Sequence, residues 1–82
     1  MVTPAQSRAA RALLEWSQAR LAEAATVGLS TIKSFEGGIR DPTRNNLAAI
    51  HAALEQAGVE FIDENGGGAG ARLAKPSKGK RK

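Results

Sequence analysis

Residues 18–37 read QARLAEAATVGLSTIKSFEG, and their spacing decides the fold. Leu21 and Ala25 recur at i, i+4 before a break at Thr26-Val27-Gly28, and Ile32 and Phe35 at i, i+3 after it. Each stretch therefore has one apolar stripe of helical period. Val27 puts an apolar residue in the break itself and stands, with Gly28 as N-cap, in staple relation to Ile32. Ala22 is small, as two closely crossing helices require. The pattern predicts helices over 18–25 and 29–36, held at a fixed angle with the second presented outward.

Working outward, Thr3-Pro4-Ala5-Gln6 starts a first helix, with Thr3 as N-cap, Pro4 at the first helical position and Gln6 completing a capping box. It runs to about residue 14 or 15, with Ala9, Ala10, Leu13 and Leu14 as its candidate inward residues. Ser17 caps the second helix, and Trp16 with Leu21 forms its staple. Gly37-Gly38 stops the third helix. Residues 39–42 read as a loop. Thr43 caps a fourth helix that carries Leu47, Ile50, Leu54 and Ala57 at helical spacing and ends at Gly58. Val59-Glu60-Phe61-Ile62 reads as a strand, and 71–73 as its return. The expected class is all-α: four short helices containing a helix-turn-helix, with a short C-terminal β strand or hairpin. Residues 1–58 form the helical domain, 59–73 a short β appendage and 74–82 a disordered basic tail.

Composition narrows the chemistry. The chain has 82 residues, no cysteine and one histidine, His51. Disulfides, thiolate zinc sites, thiol catalysis and a multi-His metal site within one chain are excluded. One histidine without paired carboxylates is poor support for catalysis, so no enzyme, cofactor or metal is expected. Gly66-Gly67-Gly68 lacks the Gly-Lys-Ser/Thr of a phosphate-binding loop and reads as a turn. No apolar run reaches the ~18 residues of a membrane span, and Met-Val-Thr-Pro has no signal-peptide pattern. A cytoplasmic protein without membrane contact is expected. The net charge of +4 is uneven: residues 55–71 hold four acids and no base, residues 72–82 six bases and no acid. Such a tail attracts polyanions.

An angled helix pair of this kind fits the major groove of double-stranded DNA, the N-terminal residues of the second helix nearest the base edges. Here the chain resembles a known family. Ser17-Gln18-Ala19-Arg20-Leu21-Ala22, then 30–38, then Arg40-Asp41-Pro42, then 47–54 occur in the order and spacing of the Cro/cI-type (XRE-family) helix-turn-helix domain, whose bundle is lambda-repressor-like. The stretch 57–68 is similar to a subgroup of small bacterial members. The likeness spans about residues 5–58. It implies a sequence-specific DNA-binding regulator, a repressor acting as a two-fold homodimer. Two departures stand out: Thr26 replaces a frequent glycine in the turn, and Gly28 replaces a frequent Ser or Thr cap.

What the resemblance implies can be placed residue by residue. Leu29, Ser30, Lys33 and Ser34 occupy groove-facing positions; lysine can reach guanine O6/N7, serine several bases, and leucine a thymine methyl. Gln18, Gly28, Arg40, Arg44 and Asn45 occupy phosphate-side positions, and Arg8 and Arg11 reach the backbone more weakly. Glu36 braces the loop. No Arg, Asn or Gln on the groove face offers a bidentate base pair contact, so specificity leans on DNA shape or dimeric binding. Each position has a plainer reading as solvated surface, and Arg40 as the ion-pair partner of Asp41 or Glu36. Strand 59–62 and the end of the fourth helix are the expected dimer surface. The alternative from another class is a protein-interaction module, such as an antitoxin or antiactivator, that uses the same scaffold to hold a protein partner.

Overall fold

Side-chain caps set most of the helix starts in the computed structural model, which describes residues 2–63 and 68–74. Thr3 Oγ1 accepts the Gln6 amide at 3.1 Å while Gln6 Oε1 accepts the Thr3 amide at 3.0 Å, a full capping box at the head of α1 (Pro4–Leu14). Ser17 caps α2 (Gln18–Ala25) through the Arg20 amide, and Thr43 caps α4 (Arg44–Gln56) through the Asn46 amide. The N-cap of α3 (Leu29–Glu36) is Gly28, with no side-chain bond. At its other end the Ile39 amide returns to the Ser34 carbonyl and the Gly38 amide to the Phe35 carbonyl, with Gly38 at φ 72°. That is the Schellman arrangement the Gly37-Gly38 pair predicts.

The helices close over a small aliphatic core. Leu21, Ile32, Ile50 and Leu54 are fully buried, with Phe35 and Val59 nearly so. α2 packs on both α3 and α4, and α1 also packs on α3 and α4.

The first helix departs from the sequence expectation. Ala10 is buried and Leu14 half-buried, but Ala9 is exposed and Leu13 is 40% exposed. The inward stripe instead includes Gln6 and Ser7, both buried. Polar residues belong there because each finds long-range partners that only the tertiary fold supplies.

The strands β1 (Val59–Ile62) and β2 (Gly70–Leu73) form an antiparallel pair in the register Val59↔Leu73 to Ile62↔Gly70. The return strand begins one residue before the expected 71. A lone two-stranded hairpin is marginal in water. This one lies across α1 with Val59 in the core and Phe61 and Ala71 packed against it. The expected disordered tail lies outside the described residues except for Ala74, as do the turn glycines Gly66 and Gly67. No helix among the described residues is long and apolar enough to cross a membrane.

Candidate nucleic-acid interface

One buried carboxylate fixes the pose of the third helix. Glu36, 3% exposed, ends α3 and faces inward. Arg11 of α1 grips it with two nitrogens, Nη2 at 2.7 Å from Oε1 and Nε at 2.9 Å from Oε2. Ser7 Oγ donates to Oε2 at 2.6 Å, and Gln18 Nε2 of α2 donates to Oε1 at 3.1 Å. The Arg11 guanidinium also donates to the Trp16 carbonyl between α1 and α2, and Arg8 donates to the Glu36 carbonyl. Burial by itself pushes the Glu36 carboxyl up. The hydrogen bonds from Arg11, Ser7 and Gln18, with the charge of Arg11, outweigh it and hold the group below its ordinary value. The acid at the end of α3 is thus ionised and satisfied, and it locks three helices together.

With its inner face locked, α3 turns the other face outward. Ser30 and Lys33 are exposed, Ser34 is half-buried, and Leu29 stands 39% exposed at the first helical position. Because Gly28 offers no side-chain cap, the Leu29 and Ser30 amides keep their donors for an outside acceptor, while the Thr31 amide turns back to the Gly28 carbonyl at 3.1 Å. Ser30, Thr31 and Ser34 form one wall of a cleft of about 230 Å³. The loop residues Arg40, Asp41 and Pro42 with Thr43 and Asn46 form the other. The Arg40 amide approaches the Ser34 carbonyl at 3.4 Å, which pins the loop against the helix. Among the described residues Lys33, Arg40 and Arg44 enter no ion pair, so their charge is free for an anionic partner. Arg40 pairs with neither Asp41 nor Glu36; the latter is already held by Arg11.

The structure therefore brings Ser30, Ser34 and Arg40 to one cleft, with Gly28, Leu29 and Lys33 on or beside the same helix. Arg44 and Asn45 are exposed in the first turn of α4, next to Thr43 and Asn46 of the cleft wall. Gln18 is placed differently: its amide is turned inward to Glu36 and half-buried. Arg8 and Arg11, expected near the DNA backbone, both donate to Glu36, the half-buried Arg11 to its carboxylate and the exposed Arg8 to its carbonyl. The sequence reading missed Thr31 and Thr43 as cleft residues, Thr43 being visible only as a helix cap.

Two other conspicuous side chains are occupied within the fold. Trp16 is half-buried and carries the Arg20 guanidinium over its ring at 4.7 Å, which covers a face that could have stacked on a base. His51 stacks on Phe61 with ring centroids 4.9 Å apart and meets Glu55 at 3.1 Å, as a packing residue would.

A search of curated proteins finds no match to the chain. The family model for the helix-turn-helix domain matches residues 8–60, more than half of the chain, from within α1 into the first strand. With α2 and α3 packed together and the outer face of α3 left open, the chain belongs to the Cro/cI-type (XRE) helix-turn-helix family of DNA-binding regulators.

Proposed function

We propose that the protein is a transcriptional repressor that binds its operator as a homodimer, with α3 of each copy in the major groove. The observation that carries this reading is the open cleft between α3 and the loop before α4, lined by hydroxyls and Arg40 and flanked by free cations. Leu29, Ser30, Lys33 and Ser34 meet base edges: the serines bond several bases, Lys33 reaches guanine O6/N7 and Leu29 meets a thymine methyl. Gly28, Arg40, Arg44 and Asn45 hold phosphate, the first through its uncapped helix start. Gln18 joins them at the head of α2 only through the second hydrogen of its amide, the first being given to Glu36.

Among the described residues the two-stranded sheet leaves both outer edges unpaired, and Leu73 and Ile62 are exposed on it at 50% and 37%. A like edge from a second copy satisfies such a surface under two-fold symmetry. The recognition helices of the two copies then stand about 34 Å apart, one turn of DNA.

Fluorescence anisotropy tests the DNA reading, on duplexes recovered from a random pool by the full chain and on shuffled duplexes of equal length. The native chain prefers the recovered duplex by at least about 10³-fold at near-physiological salt. Lys33→Glu abolishes that preference, since it puts a like charge against the groove. Equal binding of both duplexes by the native chain would move the search to a protein docked on the same scaffold.

A further inference from the structure

Gln6 has a second role besides the capping box. Its Oε1 caps Thr3, while its Nε2 donates to two carbonyls far along the chain, Ile62 at 3.2 Å and Gly70 at 3.0 Å. Ile62 and Gly70 are partners in the sheet register, the last pair before the turn. One amide group therefore clasps both strands at the same rung. It does so from a buried position, 6% exposed, where a broken bond leaves a buried amide donor unmet.

The next residue, Ser7, donates to Glu36 at the end of α3. Two consecutive residues of α1 thus hold the hairpin on one side and the recognition helix on the other. The hairpin's orientation is registered to α3 through a single helical step, with no flexible segment between them.

We infer that Gln6 is a positioning residue: by fixing the hairpin against α1, it sets the separation of the two recognition helices in the dimer and hence the half-site spacing the protein accepts. This rests on the reading of the hairpin as the dimer surface. Phosphate and base contacts can be met on one half-site alone, but spacing is read only through the rigidity of the connection between halves.

Gln6→Glu isolates the clasp. Glutamate keeps the carbonyl-type oxygen that caps Thr3 and replaces the amide donor by an oxygen facing two carbonyls. The experiment uses the full chain and the duplex it recovers from a random pool, with the spacer between half-sites lengthened or shortened by one and two base pairs. The native chain loses about tenfold or more in affinity per step off its preferred spacing. Gln6→Glu flattens that profile to within about threefold, while its affinity for an isolated half-site stays within about twofold of native. Acidification to about pH 5, where Glu36 keeps its charge, restores the profile, because burial pushes the introduced carboxyl up and, once protonated, it again donates to a strand carbonyl. A merely structural loss of stability moves neither the spacing profile nor its recovery in acid.

Sedimentation of Leu73→Asp separates the two layers of the argument. If Leu73→Asp leaves a dimer intact, or the native chain is monomeric, the hairpin interface fails and the inference with it. If Leu73→Asp abolishes the dimer yet Gln6→Glu keeps the native spacing profile, the interface stands and the role of Gln6 is overturned.

Discussion

Thr26 shows what a single residue concedes to the turn. The break between α2 and α3 needs a left-handed backbone, and Thr26 adopts it at φ 58°, ψ 45°. A β-branched residue there costs about 1–2 kcal/mol, because Cβ crowds the following carbonyl. The strain is tolerated because the Val27 amide still reaches the Ala22 carbonyl at 3.0 Å. Thr26→Gly removes the strain and returns part of the gain as unfolded-chain entropy. The net expectation is a stabilisation of about 0.5–1 kcal/mol and a Tm rise of a few degrees by calorimetry, with DNA affinity unchanged. No rise in Tm would mean that the turn is not strained by its side chain. Glu15, at φ 59°, makes the same left-handed stop after α1 without glycine.

At the scale of elements, the docking of α3 on α1 and α2 depends on a charge. The Glu36 carboxyl is held low in the folded chain, so its contribution is fully present above the unfolded value of about 4.3 and is lost as pH falls through the folded value. The native chain therefore loses stability on acidification below about pH 4. Glu36→Gln strips the partner charge from Arg11, whose side chain keeps 19% of its surface exposed. The loss at pH 7 is about 2–3 kcal/mol, below the ~3–5 typical when a fully buried pair is broken. Urea titrations at pH 7 and pH 3.5 give the check: the two proteins differ widely at the first and by less at the second. An equal gap at both would show that Glu36 acts through shape alone.

The elements themselves were legible because caps, glycines and apolar stripes are local signals. Ser17, Thr43 and Gly37-Gly38 announce their helix ends within a few residues of chain. The inner face of α1 was not legible. Gln6 and Ser7 look like polar surface until Ile62, Gly70 and Glu36 arrive from 56, 64 and 29 residues away. Leu13, apolar and placed inward by its composition, lost that place to them. The outward face of α3 was readable as a set of residues. The role of Arg11 was not, since an arginine on a basic protein looks free until its carboxylate is found.

At the scale of the whole molecule, charge and shape divide the work of binding. Residues 75–82 carry Lys75, Lys78, Lys80, Arg81 and Lys82, more positive charge than the whole chain nets. A chain shortened to test them must end after Ala74, whose amide bonds the Gly58 carbonyl at 2.7 Å and closes the base of the hairpin. Ending it at Ala74 weakens binding to recovered and shuffled duplexes alike. The slope of log K against log salt becomes shallower by up to about 4 if most of the five cations neutralise phosphates. The preference between duplexes stays, because it belongs to α3. A preference that vanished with the tail would assign sequence reading to the wrong end of the chain.

The Glu36 clasp also limits how this motif can be moved between proteins. A segment of residues 18–37 looks like a portable unit of two helices and a turn. Cut out or grafted alone, it would carry a carboxylate whose strongest partners, Arg11 and Ser7, stay behind in the donor. A chimera that borrows this DNA reader must borrow the first helix with it, because the unit of inheritance here is three helices around one acid.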